Sequence, residues 1–232
     1  MLLIFDLDGT LIDSRFDIAA ACNAALVAIG KTALPVEKIA TFVGDGAHQL
    51  MRRALGEDAS DSLVAAALPV LTAYYLAHPV EHTRWLPGAT EALETLAHDH
   101  TIALATNKGA PVAQAILRAL GVIDRFASVI GGGELPLKPD PACIHAIAKQ
   151  TGFTGDIADI WMIGDGPQDI GAGKAAGATT VAVLGGFHPE GRLRALRPDH
   201  LLASLGELGP LLAGLKAPPG TSPSQRFDVK IA

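Results

Sequence analysis

Cysteine is nearly absent. Cys22 and Cys143 are the two that 232 residues contain, too few for a disulfide framework and without the paired spacing of a zinc site. A reducing cytoplasm is the compartment this predicts. Positive charge is in deficit as well: the formal net charge is −6 and charged residues make up 18% of the chain, so there is no basic field for a nucleic-acid backbone or an acidic membrane surface. Small soluble molecules are the expected partners. Long apolar runs are also missing. Leu63 to Leu71 falls well short of the ~20 residues of a membrane span. The apolar start Met1 to Phe5 lacks a basic flank and meets Asp6 before a signal sequence would be complete. Neither export nor anchoring is expected, and no internal repeat is found.

What the chain does have is apolar residues, 49% of the total, enough to bury a proper core in one large domain or two modest ones. Short runs rich in Ile, Val and Leu recur at Leu2 to Phe5, Thr101 to Thr106, Ser128 to Ile130, Ile160 to Ile163 and Thr180 to Leu184. They read as strands buried on both faces. Helical spacing lies between them, at Ala92, Leu93, Leu96 and Ala97, at Val112, Ile116, Leu117 and Leu120, and at Ile144, Ile147 and Ala148. The alternation predicts an α/β fold with a parallel sheet.

Residues 15–84 break that alternation with helical patterns and no strand. Ile18, Cys22, Leu26 and Ile29 share one face, and Leu50, Met51, Ala54 and Leu55 another. The pattern continues from Leu63 to Tyr74, where Pro69 is expected to kink or restart the helix. This segment is predicted to be a helical cap inserted into a core made of residues 1–14 and 85–215. It ends at Trp85-Leu86-Pro87-Gly88, ahead of a helix expected to be capped by Thr90. Trp85 is read as hinge packing. The insertion follows the first strand, which sets it over the carboxyl edge of the sheet, where open α/β sheets bind ligands. Residues 216–232 read as a linker followed by an edge strand at Arg226 to Ile231.

Polar clusters follow four of the predicted strands or their loops. Asp6 and Asp8 end the first, and a spacing of two on an extended chain puts both carboxylates on one side, roughly 6 to 7 Å apart at Cα. Two like charges so close approach an anionic phosphate badly without a cation, and Mg²⁺, a hard ion that takes oxygen ligands, would supply one. Gly9 and Thr10 are expected to turn the backbone and leave amides free for phosphate oxygens. A solvated turn would look the same. Thr106 and Asn107 end the second strand with a hydroxyl and amides suited to phosphoryl oxygens; an ordinary strand-to-helix loop is the plain alternative. Lys138, stiffened by Pro139 and Pro141, could neutralise a phosphoryl group or be a surface lysine. Asp165 and Asp169 suit metal coordination and its support, or helix capping. In a parallel sheet all four clusters converge on one pocket.

Here the chain resembles the haloacid dehalogenase superfamily, from Leu3 to about Leu208. The run Phe5-Asp6-Leu7-Asp8-Gly9-Thr10 is similar to its first motif, Thr106-Asn107 to its second, Lys138 to its third, and Gly164-Asp165 with Asp169 to its fourth. The resemblance implies a Rossmann-like core with a cap and an aspartyl-phosphate intermediate. It also implies Mg²⁺ held by Asp6, the Asp8 carbonyl and Asp165, with Asp169 beside them. An acid and base at the Asp8 position marks phosphotransfer in that family rather than carbon-halogen cleavage. Asp6, Asp8 and Lys138 would then be catalytic.

The segment from Phe42 to Leu55 is similar to the substrate loop and helix of phosphoglycolate phosphatases, as are Gly132 to Pro136 and Lys174 to Gly177. By that likeness Gly44, Gly46 and Arg52 are candidate substrate contacts. His48 and Arg53 are further cations that could meet a substrate carboxylate or face solvent. Two residues depart from the pattern: Asp45 stands where an uncharged polar side chain is expected, and Gly166 removes a hydroxyl. The implied reaction is hydrolysis of a small phosphate monoester, 2-phosphoglycolate, by a monomer or homodimer. A sugar-phosphate mutase or phosphatase with the same core, and a non-catalytic metabolite-binding protein, are the alternatives.

Overall fold

The computed structural model describes residues 1–56, 58–133 and 135–216. At its centre is β1 (Leu2–Phe5), paired in parallel with β4 (Thr101–Gly109) on one side and β6 (Ile160–Gly164) on the other. With β5 (Ser128–Gly132), β7 (Thr179–Val183) and β8 (His200–Leu202) they form a six-stranded parallel sheet in the order β5-β4-β1-β6-β7-β8. The chain order reverses direction on either side of β1, so crossovers lie on both faces and a crevice opens at its carboxyl end. The five longer strands fall where apolar runs predict them. β8 has only three residues, too few for a periodic signal.

Period-two alternation sorts the strand side chains onto two faces. Leu3, Phe5, Leu104, Ile163 and Val181 belong to one buried cluster, while Leu2, Ile4, Ala103, Ala105 and Met162 pack on the other face with Ile144 and Ile147. Those last two lie on α7 (Ala142–Gln150). Each large side chain so buried contributes about 1.5 to 3 kcal/mol relative to exposure.

Four helices lie between the first strand and its return: α1 (Arg15–Ala28), α2 (Val36–Ala40), α3 (Gly46–Leu55) and α4 (Asp61–Ala77). The chain leaves through β2 (Ile12–Asp13) and comes back through β3 (Arg84–Trp85), and the two strands pair antiparallel, Ile12 with Trp85 and Asp13 with Arg84. Asp17, buried at the start of α1, accepts hydrogen bonds from the amides of His82 and Thr83 and from the Thr83 hydroxyl at 2.6 Å. Exit and return are therefore tied by side chain as well as by strand. The apolar stripe Ile18, Cys22 and Leu26 is buried as the spacing predicts. It joins the same cluster as Leu3 and Phe5, so one continuous core runs from helices to sheet.

α4 continues through Pro69, so the helix does not restart there. Both Pro69 and Ala65, the residue whose carbonyl loses its amide partner, are exposed, so water can take up that carbonyl and neighbours keep the helix whole. The helix after the return, α5 (Ala89–Leu96), is preceded by Gly88 in the left-handed region, and Thr90 lies inside it with its hydroxyl on Glu91. Thr90 is no cap. The expected linker and edge strand at 217–232 lie outside the described residues. No helix among the described residues is long and apolar enough to cross a membrane.

Candidate active site

A cavity of about 330 Å³ opens at the carboxyl ends of β1, β4 and β6, beneath α3 and α4. Asp6 and Asp8 reach it from the end of β1, and Thr106, Asn107 and Lys108 from β4. Lys138 comes from the loop after β5. Asp165 follows β6, and Asp169 lies in the first turn of α8 (Pro167–Ala176). Gly44 and Gly46, at the start of α3, close the opposite wall.

Lys138 anchors the charge arrangement. Its ammonium donates to Asp169 Oδ1 at 2.7 Å and to the Ala105 carbonyl at 2.5 Å, and stands 3.0 Å from Asp6 Oδ1. Burial opposes its charge, but Asp169 and Asp6 outweigh it and raise its pKa. Asn107 holds the Lys138 loop in place. Its side chain accepts from the Lys138 amide at 2.8 Å and donates to the Lys138 and Gly44 carbonyls at 2.9 Å each. One carboxamide thus fastens β4 to the loop on one side and to the α3 approach on the other.

Burial raises the pKa of Asp6 to about 6 against the pull of Lys138, and the neighbouring carboxylates Asp169 and Asp8 push the same way. Its buried Oδ1 has no aligned hydrogen-bond donor among the described residues. Oxygens of Asp6, Asp165 and Asp169 all lie within 4.8 Å of one another. Asp169 also accepts from the Gly166 amide at 2.9 Å, and Asp165 from the Thr10 hydroxyl at 3.0 Å and the Phe187 amide at 2.7 Å. Four carboxylates and two ammonium groups line the cavity together with His188, a formal double negative charge in a buried place when the imidazole is neutral. A set of hard carboxylate oxygens and that residual charge fit a divalent hard cation.

The Asp8 carboxylate is held apart from the other three, which leaves its carbonyl as the group expected to face a metal. Its carboxylate receives Lys108 at 2.9 and 3.1 Å and the Ser14 hydroxyl at 2.5 Å. Ser14 precedes α1 but makes no capping bond with its side chain. Motif spacing does not reveal Lys108, whose reach to Asp8 spans 100 residues of chain.

Gly9 and Thr10 do not offer free amides. The Gly9 amide donates to the Ile12 carbonyl at 2.8 Å and the Thr10 amide to that of Leu7 at 3.4 Å, closing the turn on itself. Their part is support. Thr10 holds Asp165, and a Cβ on Gly9, which sits at φ +85°, would lie 2.4 Å from an Asp165 oxygen.

The expected cations of α3 also face elsewhere. Arg52 bonds Asp61 and the Ala59 carbonyl, Arg53 bonds Asp45 at 2.5 Å and the Phe42 carbonyl at 3.0 Å, and His48 is exposed. None of the three lines the cavity. Each arginine finds a partner nearer than the cavity. Asp45, which stands where an uncharged side chain is expected, is paired: burial would raise its pKa, but hydrogen bonds from Gln168 at 2.6 Å and from Arg53 hold it below the ordinary value. Gly166 makes room for that bridge, because a Cβ there would meet Gln168 Oε1 at 2.7 Å.

The model of the haloacid dehalogenase-like hydrolases matches residues 3–183. The phosphoglycolate phosphatase of Neisseria meningitidis is 38% identical over 213 residues, covering 88% of this chain and 90% of that one. That of Nitrosospira multiformis is 34% identical over 218 residues, 90% and 94% of the two chains. The crystal structure of a predicted phosphoglycolate phosphatase from Haemophilus somnus 129pt superposes with a TM-score of 0.80 at 26% identity, over 91% of this chain and 97% of that one.

Proposed function

We propose that this chain, which belongs to the haloacid dehalogenase-like hydrolase family and is a phosphoric monoester hydrolase, removes phosphate from 2-phosphoglycolate through an aspartyl-phosphate on Asp6. One observation carries the reading. The Asp6 carboxylate stands at the end of the central strand in the cavity wall, its buried oxygen without an aligned donor, 3.0 Å from Lys138 and within reach of Asp165 and Asp169. A carboxylate so placed is a nucleophile whose charge is balanced but not consumed.

In this reading Asp6 attacks phosphorus in line and the ester oxygen departs. Asp8, protonated in the ester complex, gives the leaving oxygen its proton and then regains one from the water that opens the acyl phosphate. Lys138 and the Thr106 hydroxyl face the equatorial oxygens, where negative charge accumulates. Asn107 keeps Lys138 in register. Mg²⁺, held by Asp6, the Asp8 carbonyl and Asp165 with Asp169 supporting, would neutralise the phosphate against the acidic wall.

Relatives of similar length named phosphoglycolate phosphatase support the substrate, together with a cavity sized for a small ester. The two buried free thiols, Cys22 and Cys143, accord with a cytoplasmic enzyme. The test is phosphate release with Mg²⁺ across 2-phosphoglycolate, hexose phosphates, pyrophosphate and nucleotides. 2-Phosphoglycolate is expected to lead, and Asp6→Asn to stop turnover in a folded protein. Undiminished release by that variant would sink the mechanism; transfer of phosphate to a sugar hydroxyl would mark a mutase.

A further inference from the structure

Two lysines line the cavity, and one of them is spoken for at the phosphate end. Lys138 sits between Asp6 and Asp169. Lys108, at the far end of β4, has an ammonium that lies against Asp8 and 4.3 Å from the centroid of the Tyr75 ring, on α4. The other ionisable groups on the wall are carboxylates and His188, which lies 3.7 Å from Asp165 at the phosphate end; Arg52 and Arg53 are turned away, and Ile18, Leu50 and Val112 are among the apolar remainder. A second anionic group on a substrate has Lys108 as its lysine.

Tyr75 adds an independent sign. The residue is 3% exposed and lines the cavity, and its hydroxyl makes no aligned hydrogen bond among the described residues, with the Lys108 ammonium beside it. A buried hydroxyl without a partner is costly, and an acceptor arriving in the cavity would relieve that cost. Ammonium and phenol together present donors to one incoming oxyanion.

We propose that Lys108, with the Tyr75 hydroxyl, receives a carboxylate carried by the leaving group, and that Lys108 exchanges Asp8 for that carboxylate when the ester binds. The inference rests on the reading of the substrate as the phosphate ester of a small hydroxy acid. Exchange replaces one ammonium-carboxylate contact by another, and Asp8 retains the Ser14 hydroxyl at 2.5 Å. A flexible lysine stem suits such a move better than a planar guanidinium. An ester with a neutral end offers no replacement contact, so Lys108 stays on Asp8 and the ester is disfavoured.

The experiment compares kcat/KM for 2-phosphoglycolate with that for 2-hydroxyethyl phosphate, which has a neutral hydroxymethyl group in place of the carboxylate. The full chain with Mg²⁺ is used. Wild type is expected to favour the carboxylate at least tenfold. Lys108→Met is expected to lower that ratio at least tenfold, and Tyr75→Phe, which keeps the ring, several-fold. Equal losses on both esters, with the ratio unchanged, would overturn the proposal and leave Lys108 as a support of Asp8. A wild-type ratio near one would overturn it too, but before any substitution, and would show that the hydroxy-acid reading had failed. Should Lys108→Met not fold, Tyr75→Phe and Lys108→Arg decide: a fall in the ratio for either supports the exchange, and unchanged ratios in both refute it.

Discussion

Lys138 and Asp169 form an ion pair 2.7 Å long with both side chains almost fully buried, 3% and 2% exposed. Neither charge reaches water, so each depends on the other, and Asp6 at 3.0 Å leans on the same ammonium. The pair ties the loop after β5 to the start of α8 and sets the charge that Asp6 experiences.

Lys138→Met should therefore cost about 3 to 5 kcal/mol, the range for removing one partner of a buried pair. Urea denaturation with chelator present would measure it. Turnover should fall at least a hundredfold in the fraction that stays folded.

Asp6 makes the metal-free protein sensitive to pH. Its pKa rises on folding from 3.8 to about 6, so the folded form holds a proton that the unfolded form gives up. The resulting stability is fully present below about pH 4 and is lost as pH rises through about 6, on the order of 2 to 3 kcal/mol. Asp6→Asn has no carboxyl to titrate. With chelator present, wild type should lose stability relative to this variant between pH 4 and 7. A constant difference across that range would contradict the assignment.

Gly9→Ala should raise the Mg²⁺ concentration needed for half-maximal activity at least tenfold, because the new methyl drives Asp165 from its place. Gly30 supplies the control. It too has positive φ, +74°, but nothing lies within 4 Å of its Cβ position. Gly30→Ala should cost about 1 to 2 kcal/mol from backbone strain and leave the Mg²⁺ requirement unchanged.

Asp17→Ala should destabilise the protein by about 2 to 3 kcal/mol, since it strips partners from two amides and the buried Thr83 hydroxyl. A thermal melt would show it. An unchanged melting temperature would mean that the strand pairing alone holds exit and return together.

The sheet was legible in the sequence because a strand buried on both faces shows itself as a short apolar run, and Asp6, Thr106 and Asp165 were legible because each follows such a run directly. Partnerships were not. Lys108 with Asp8, Asp45 with Gln168 and Asp17 with Thr83 join residues that periodicity cannot relate, 100, 123 and 66 positions apart. Arg52 looked available on its helix until Asp61, nine residues on, took it. Likewise Gly9 and Thr10 carry the right spacing for anion contacts, but Ile12 and Leu7 already satisfy their amides. Local pattern identifies which groups exist near a site; the competition for hydrogen bonds decides which remain free.

The β2 and β3 pair gives the insertion one doorway, with departing and returning strands side by side. A replacement segment would need only two splices to sit over the same carboxylates, so the wall above the cavity can change without disturbing the sheet beneath. The shared apolar seam limits that freedom. Because Ile18, Cys22 and Leu26 belong to the same buried cluster as Leu3 and Phe5, a foreign insert must bring a matching underside, so compatible grafts should come from chains that preserve this contact surface.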